Sequence, residues 1–232
     1  MNDSPPIIAV DGPSGAGKGV VASFLSKQFD FHLLDSGALY RLVGIAARTE
    51  GVDLEVANLD QAKLGKMARN LKVEFVSTDN HENPLEIKLF GRNVTREVRT
   101  NEAGVDASRL ASLPEVRRGL FELQRAFLRT PGLVADGRDM GTTIFPEADV
   151  KIYLTASVGA RSERRYNQLK HKGINVSLRA LTKSLEERDK RDTQREDSPL
   201  RPAKDAVIID STKMGVDDVI NQVNAIVNEK LG

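Results

Sequence analysis

Ile7-Ile8-Ala9-Val10-Asp11-Gly12-Pro13-Ser14-Gly15-Ala16-Gly17-Lys18 is the stretch on which the reading of this fold turns. Four consecutive apolar residues form a short buried strand. The G-x-x-x-x-G-K spacing after them lets the backbone fold back so that several N–H groups converge on one anion, to which Lys18 adds a mobile positive charge. Val21, Phe24 and Leu25 recur at i, i+3 and i+4, the spacing of an amphipathic helix whose positive N-terminal end faces that anion. A strand, a phosphate loop and a helix in this order predict nucleotide binding through Gly12, Pro13, Ser14, Gly15, Ala16, Gly17, Lys18, Gly19 and Val20. Many such loops place a Ser or Thr after the lysine to reach magnesium; here Gly19 and Val20 follow, and neither has a hydroxyl. No Asn-Lys-x-Asp string is present to read guanine, which argues against a GTPase.

Working outward, Phe31-His32-Leu33-Leu34 predicts a second buried strand ending at Asp35, with Ser36 placed to cap a helix that begins near Ala38. Leu133-Val134-Ala135, Val150 to Leu154 and Ala206 to Ile209 are further strand candidates, each followed by polar or helical sequence. Strands separated by helices imply an α/β fold with a central parallel sheet covered on both faces. The last helix shows Val219, Ile220, Val223, Ile226, Val227 and Leu231 on one face, to pack on the sheet. One stretch breaks the rhythm. Val73-Glu74-Phe75-Val76 and Leu85-Glu86-Ile87-Lys88-Leu89 partly alternate, with Asn80, Asn83 and Pro84 between them and Gly91-Arg92 turning the chain toward Val94. They predict a small antiparallel β insertion in a single domain spanning 1–232, the core being 1–65 and 100–232 and the inserted subdomain about 66–99. Asp197 to Pro202 reads as a helix stop and loop.

Composition narrows the function classes. The chain has 232 residues, 40% of them hydrophobic, enough for one substantial core. A net charge of +1, no Trp and 5% aromatic residues leave little for nucleic-acid binding. The absence of Cys excludes disulfides, thiolate metal sites and cysteine nucleophiles. With no apolar run near the roughly 18 residues of a bilayer span and no signal-like segment, a cytoplasmic monomer is expected. Between Thr155 and Arg201, however, 12 Lys/Arg stand against 7 Asp/Glu, a local balance of +5. There Arg188, Asp192 and Arg195, at i, i+4 and i+7, would share one helix face. Such a face could grip a sugar phosphate, with arginines forking onto phosphate oxygens. Spacing alone favours the plainer alternative, a solvated, salt-bridged helix.

The G-K-G ending of the loop resembles those of nucleoside monophosphate kinases. The string Asp11 to Gly19, followed by Leu34-Asp35-Ser36-Gly37-Ala38-Leu39-Tyr40-Arg41 and Ala135-Asp136-Gly137-Arg138-Asp139-Met140-Gly141-Thr142, is similar to the bacterial cytidylate kinases. The similarity continues through Lys151 to Ser157, Glu187 to Asp192 and Asp210-Ser211-Thr212, in the family's order over nearly the whole chain. It implies a P-loop kinase fold, with the antiparallel insertion over the monophosphate site, transferring the γ-phosphoryl group of ATP to CMP and dCMP. Arg41, Arg138 and Arg195 match family positions that hold the acceptor phosphate; Arg188 and Asp192 match those at the ribose. Ser108, Arg117 and Asp139 match the cytosine-reading positions, and Ser36 belongs to the same pocket. The base's chemistry agrees, since cytosine offers an amino donor and two acceptors and its reader needs a carboxylate plus donors.

The resemblance implies that Lys18, Arg138 and Arg195 are the catalytic residues. A Mg²⁺ ion accompanying ATP would be held mainly by nucleotide phosphates and water, since Val20 stands where the family commonly has a hydroxyl. One of Arg161, Arg164 and Arg165 would reach ATP from a closing segment. His32, His81 and His171 need no catalytic role, because a phosphate monoester with a second pKa of about 6 is already largely ionised near neutral pH. Two other readings remain open: a kinase of the same fold with another acceptor, and a nucleotide-dependent binding protein without catalysis.

Overall fold

The computed structural model describes residues 4–77, 85–171 and 173–232. The chain runs β1 (Ile7–Asp11), α1 (Lys18–Phe29), β2 (His32–Asp35), α2 (Ser36–Thr49), α3 (Gln61–Arg69), β3 (Val73–Ser77), β4 (Leu85–Leu89), β5 (Arg92–Asn93) and α4 (Thr95–Val98). It continues with α5 (Asn101–Leu110), α6 (Pro114–Arg125), β6 (Leu133–Gly137), a π-helical turn (Met140–Ile144), β7 (Val150–Thr155), α7 (Val158–His171), α8 (Leu178–Thr193), β8 (Val207–Asp210) and α9 (Val216–Leu231). Two compact units divide it: Met1–Asp35 with Arg125–Gly232, and Ser36–Gln124.

In the first unit five parallel strands stand in the order β2-β6-β1-β7-β8. All of β1 is buried, as a central parallel strand covered on both faces must be. Ile8 and Val10 pack with Val21, Ala22 and Leu25 of α1 and with Val219, Val223 and Val227 of α9. The apolar stripe of the last helix thus lies on the sheet, as its spacing predicts. At the carboxyl end of β1 the chain turns at Gly12, where φ is +146° and an added Cβ would stand 1.9 Å from the Leu154 carbonyl oxygen. Gly12→Ala should therefore cost about 2 kcal/mol or more of stability, because rigid backbone occupies that space. A denaturant midpoint equal to the parent's would contradict this.

In the second unit α2 packs along α5, and β3-β4-β5 form an antiparallel sheet in which Phe75 pairs with Ile87 and Leu89 with Arg92. The sequence-predicted antiparallel element is present. Ile87 and Leu89 are buried, as alternation in β4 requires. The Thr95 hydroxyl accepts the Ile87 N–H at 2.9 Å, tying β4 to the start of α4. Asp60 and Thr100 cap α3 and α5 by accepting the N–H groups of Lys63 and Ala103. The turn residues Asn80, Asn83 and Pro84, together with His81, lie outside the described residues. The helix expected near Ala38 begins two residues earlier, so Ser36 is its first helical residue, and its hydroxyl donates to Gln124 Oε1 at 2.7 Å.

Candidate active site

The phosphate loop spans the gap between β1 and α1, and Gly15, Gly17, Gly19 and Val20 face outward. Lys18, the first residue of α1, is 6% exposed, and its Nζ donates to the Pro13 carbonyl at 3.0 Å and stands 3.8 Å from Asp136 Oδ1. Burial, reinforced by the charges of Arg138 and Arg188, lowers its pKa to about 8. Burial also lifts Asp136 to about 6, with Lys18 opposing and Asp35 adding to the rise.

Arg138 donates its Nε to Asp192 Oδ2 at 2.9 Å. Burial opposes the charge on both partners. Asp192 nonetheless keeps Arg138 firmly ionised, while Arg138, Arg188 and Arg195 hold Asp192 below the usual carboxylate range. The helix face imagined from spacing is incomplete, because α8 ends at Thr193 and Arg195 lies beyond its cap. Arg195 still reaches back, donating its Nε to the Asp192 carbonyl at 3.2 Å. Asp139, buried at the start of the π-helical turn, belongs to the same unit.

Ser36, Arg41, Ser108 and Arg117 sit in the second unit. Arg41 on α2 donates to the carbonyls of Val98 and Thr100 at 2.8 and 3.1 Å, and Gly104 leaves room beside its guanidinium. Arg117 on α6 is buried and donates to the Tyr40 hydroxyl at 3.2 Å, while Ser108 is buried on α5.

The arginines at positions 161, 164 and 165 divide by role. Arg161 is buried and bonded to the Ser14 and Ala156 carbonyls and to Asp189, tying α7 to the loop and to α8. Arg164 donates to the Ser211 hydroxyl at 3.1 Å and rims a cavity of about 500 Å³ beside the phosphate loop. Val20, Met214, Val216 and Val219 supply its apolar lining. Arg165 is half-buried and makes no side-chain bond among the described residues. His32 pairs with the Thr130 carbonyl and His171 with that of Asn167, so neither faces the loop chemistry.

Sequence reasoning missed Asp11, Asp35 and Asp136 as functional candidates. The signal was available, since all three stand at carboxyl ends of parallel strands, where ligands of such sheets gather. Asp35 and Asp136 are paired in register, and an added Cβ at Gly19 would lie 3.6 Å from Asp136 Oδ2. Hard oxygen donors of this kind suit Mg²⁺, which would need phosphate and water oxygens besides, since no group of three or more such residues placed to hold a metal ion occurs among the described residues.

A parallel sheet carrying a glycine loop, a buried lysine and a guanidinium cluster at its carboxyl edge defines the phosphate-loop class of phosphotransferases. Residues 8–229 match the cytidylate kinase family. The cytidylate kinase of Pseudomonas aeruginosa (strain LESB58) is 50% identical over 223 residues, covering 96% of this chain and 95% of that protein. Those of Shewanella amazonensis and Azotobacter vinelandii are 45% and 48% identical, covering 100% and 96% of this chain and 98% and 95% of their own lengths. This chain belongs to the cytidylate kinase family. No helix among the described residues is long and apolar enough to cross a membrane.

Proposed function

We propose that this chain transfers the γ-phosphoryl group of ATP to CMP and to dCMP, giving ADP with CDP or dCDP, in the cytoplasm. The observation that carries the reading is a buried lysine closing the glycine loop after β1, in the same unit as the buried Arg138–Asp192 pair on which Arg188 and Arg195 also act. Cations held together against their own repulsion form a preorganised receptor for more than one phosphate, which a donor and an acceptor monophosphate supply. An acceptor phosphate oxygen attacks the γ-phosphorus, the bond to the β-bridging oxygen breaks, and ADP leaves. The acceptor is already ionised, so no general base is needed.

In this reading Lys18, Arg138 and Arg195 neutralise the transferring and accepting phosphates, and Arg41 joins them on the acceptor. Arg188 and Asp192 take the ribose; Ser108, Arg117 and Asp139 read the cytosine, with Ser36 in the same pocket. The donor nucleoside occupies the cavity beside Val20 and Met214, whose apolar walls suit a base. Asp136 and Asp35 would hold Mg²⁺ together with nucleotide phosphates and water. When bound, the ion supplies positive charge to the β- and γ-phosphates. Val20→Thr should then change apparent Mg²⁺ affinity by less than roughly threefold, because Val20 faces the nucleoside cavity and the ion needs no hydroxyl there. A large gain in both metal affinity and turnover would show that the hydroxyl was missing.

Acceptor-dependent ADP release tests the function. CMP and dCMP should give the highest kcat/KM in a panel with UMP, AMP and GMP. A clear preference for another monophosphate would assign a different kinase, and ATP binding without acceptor-dependent release would assign a binding protein.

A further inference from the structure

Asp11 takes no part in the reading above, yet both its carboxylate oxygens are committed. The last residue of β1 and only 4% exposed, it accepts the Met140 N–H on Oδ1 at 2.9 Å and the Gly141 N–H on Oδ2 at 2.8 Å. These N–H groups open the π-helical turn, where helical geometry leaves donors without an internal acceptor. The two residues immediately before them are Arg138 and Asp139. On its other side Asp11 is bonded directly to Gly12, whose α-carbon lies so close to the Leu154 carbonyl that no side chain fits there. In the strand register Asp11 also stands beside Gly137.

We propose that Asp11 is a positioning residue that fixes the Arg138-Asp139 segment against the first residue of the phosphate loop, so that acceptor and donor groups keep one register. The proposal rests on the assignment of Arg138 and Asp139 to CMP. A bidentate carboxylate on two successive N–H groups sets both position and orientation of the segment, which a single hydrogen bond would not. The placement is unfavourable for the carboxylate itself. Burial lifts its pKa to about 7 although both N–H bonds pull it down.

Asp11→Asn tests this, since an amide keeps the shape but turns a donor toward one of the two N–H groups. With ATP saturating, kcat/KM for CMP should fall roughly 10- to 100-fold and the CMP-to-UMP ratio should narrow. The Kd of a non-hydrolysable ATP analogue should stay within roughly threefold, because the loop's own N–H groups are untouched. Parent-like CMP constants would overturn the proposal, and so would equal losses of donor affinity and acceptor efficiency, which mark a general role in folding. Hydrogen exchange on the parent protein tests the clamp without any variant: the Met140 and Gly141 amides should be as protected as those of β6, and exchange at the rate of an exposed loop would overturn it. If the parent protein does not phosphorylate CMP, the acceptor reading fails and takes this proposal with it. If the parent is active and Asp11→Asn is indistinguishable from it, this proposal fails alone.

Discussion

Lys18→Ala is expected to lower kcat by roughly 10²- to 10⁴-fold while the protein stays folded. The ammonium stands at the head of α1, beside the Pro13 carbonyl and Asp136, in a pocket dry enough to pull its pKa down to about 8. In the proposed reaction, charge building on the transferring phosphoryl group would meet there a cation that needs no reorganisation, which water does not offer. Loss of the lysine leaves Asp136 without its nearest cation, but burial has already lifted that carboxyl to about 6, so it can take up a proton instead of disrupting the sheet. Steady-state rates with a thermal melt of the same sample decide the matter. Turnover near the parent's in a folded variant would remove the loop from the chemistry.

The second large effect separates acceptor phosphate from acceptor base. Arg138→Ala should depress kcat/KM for every monophosphate by roughly 10²- to 10³-fold, since a guanidinium fork on phosphate carries no base information. Part of that loss is indirect, because Asp192 depends on Arg138 for its closest ion pair. Asp139→Ala should instead fall hardest on CMP and dCMP, because a cytosine amino group left unpaired in a dry pocket forfeits about 1 to 3 kcal/mol. The ratio of kcat/KM for CMP to that for UMP in each variant is the diagnostic quantity. If it moves with Arg138 and stays fixed with Asp139, the division of labour is wrong.

Features set by local chemistry were legible in the sequence. The glycine spacing announced the phosphate loop, continuous apolar runs announced the strands of the parallel sheet, and partial alternation announced the antiparallel one. Boundaries shifted where short-range signals competed: α2 starts at Ser36, and α8 stops before Arg195 despite an unbroken charge spacing. What escaped were relations between residues far apart in sequence. Asp11 meets Met140 and Gly141 across 129 and 130 positions, and no periodicity links them. Arg161 was one of three arginines expected near a segment closing over ATP, but its guanidinium is engaged by Asp189 and by the Ser14 carbonyl of the loop, a pairing only tertiary packing creates. The roles of Arg41, Ser108 and Arg117 rested on family resemblance, since nothing in their immediate sequence distinguishes a base-reading side chain from a buried structural one.

The most direct test of the central claim is to follow the γ-phosphate itself, by incubating the protein with ATP labelled at that position, Mg²⁺ and CMP and separating the products. The label should appear in CDP in step with ADP formation, and Lys18→Ala should slow this transfer by at least roughly 10²-fold. Label released as inorganic phosphate while CMP remains unchanged would contradict that claim.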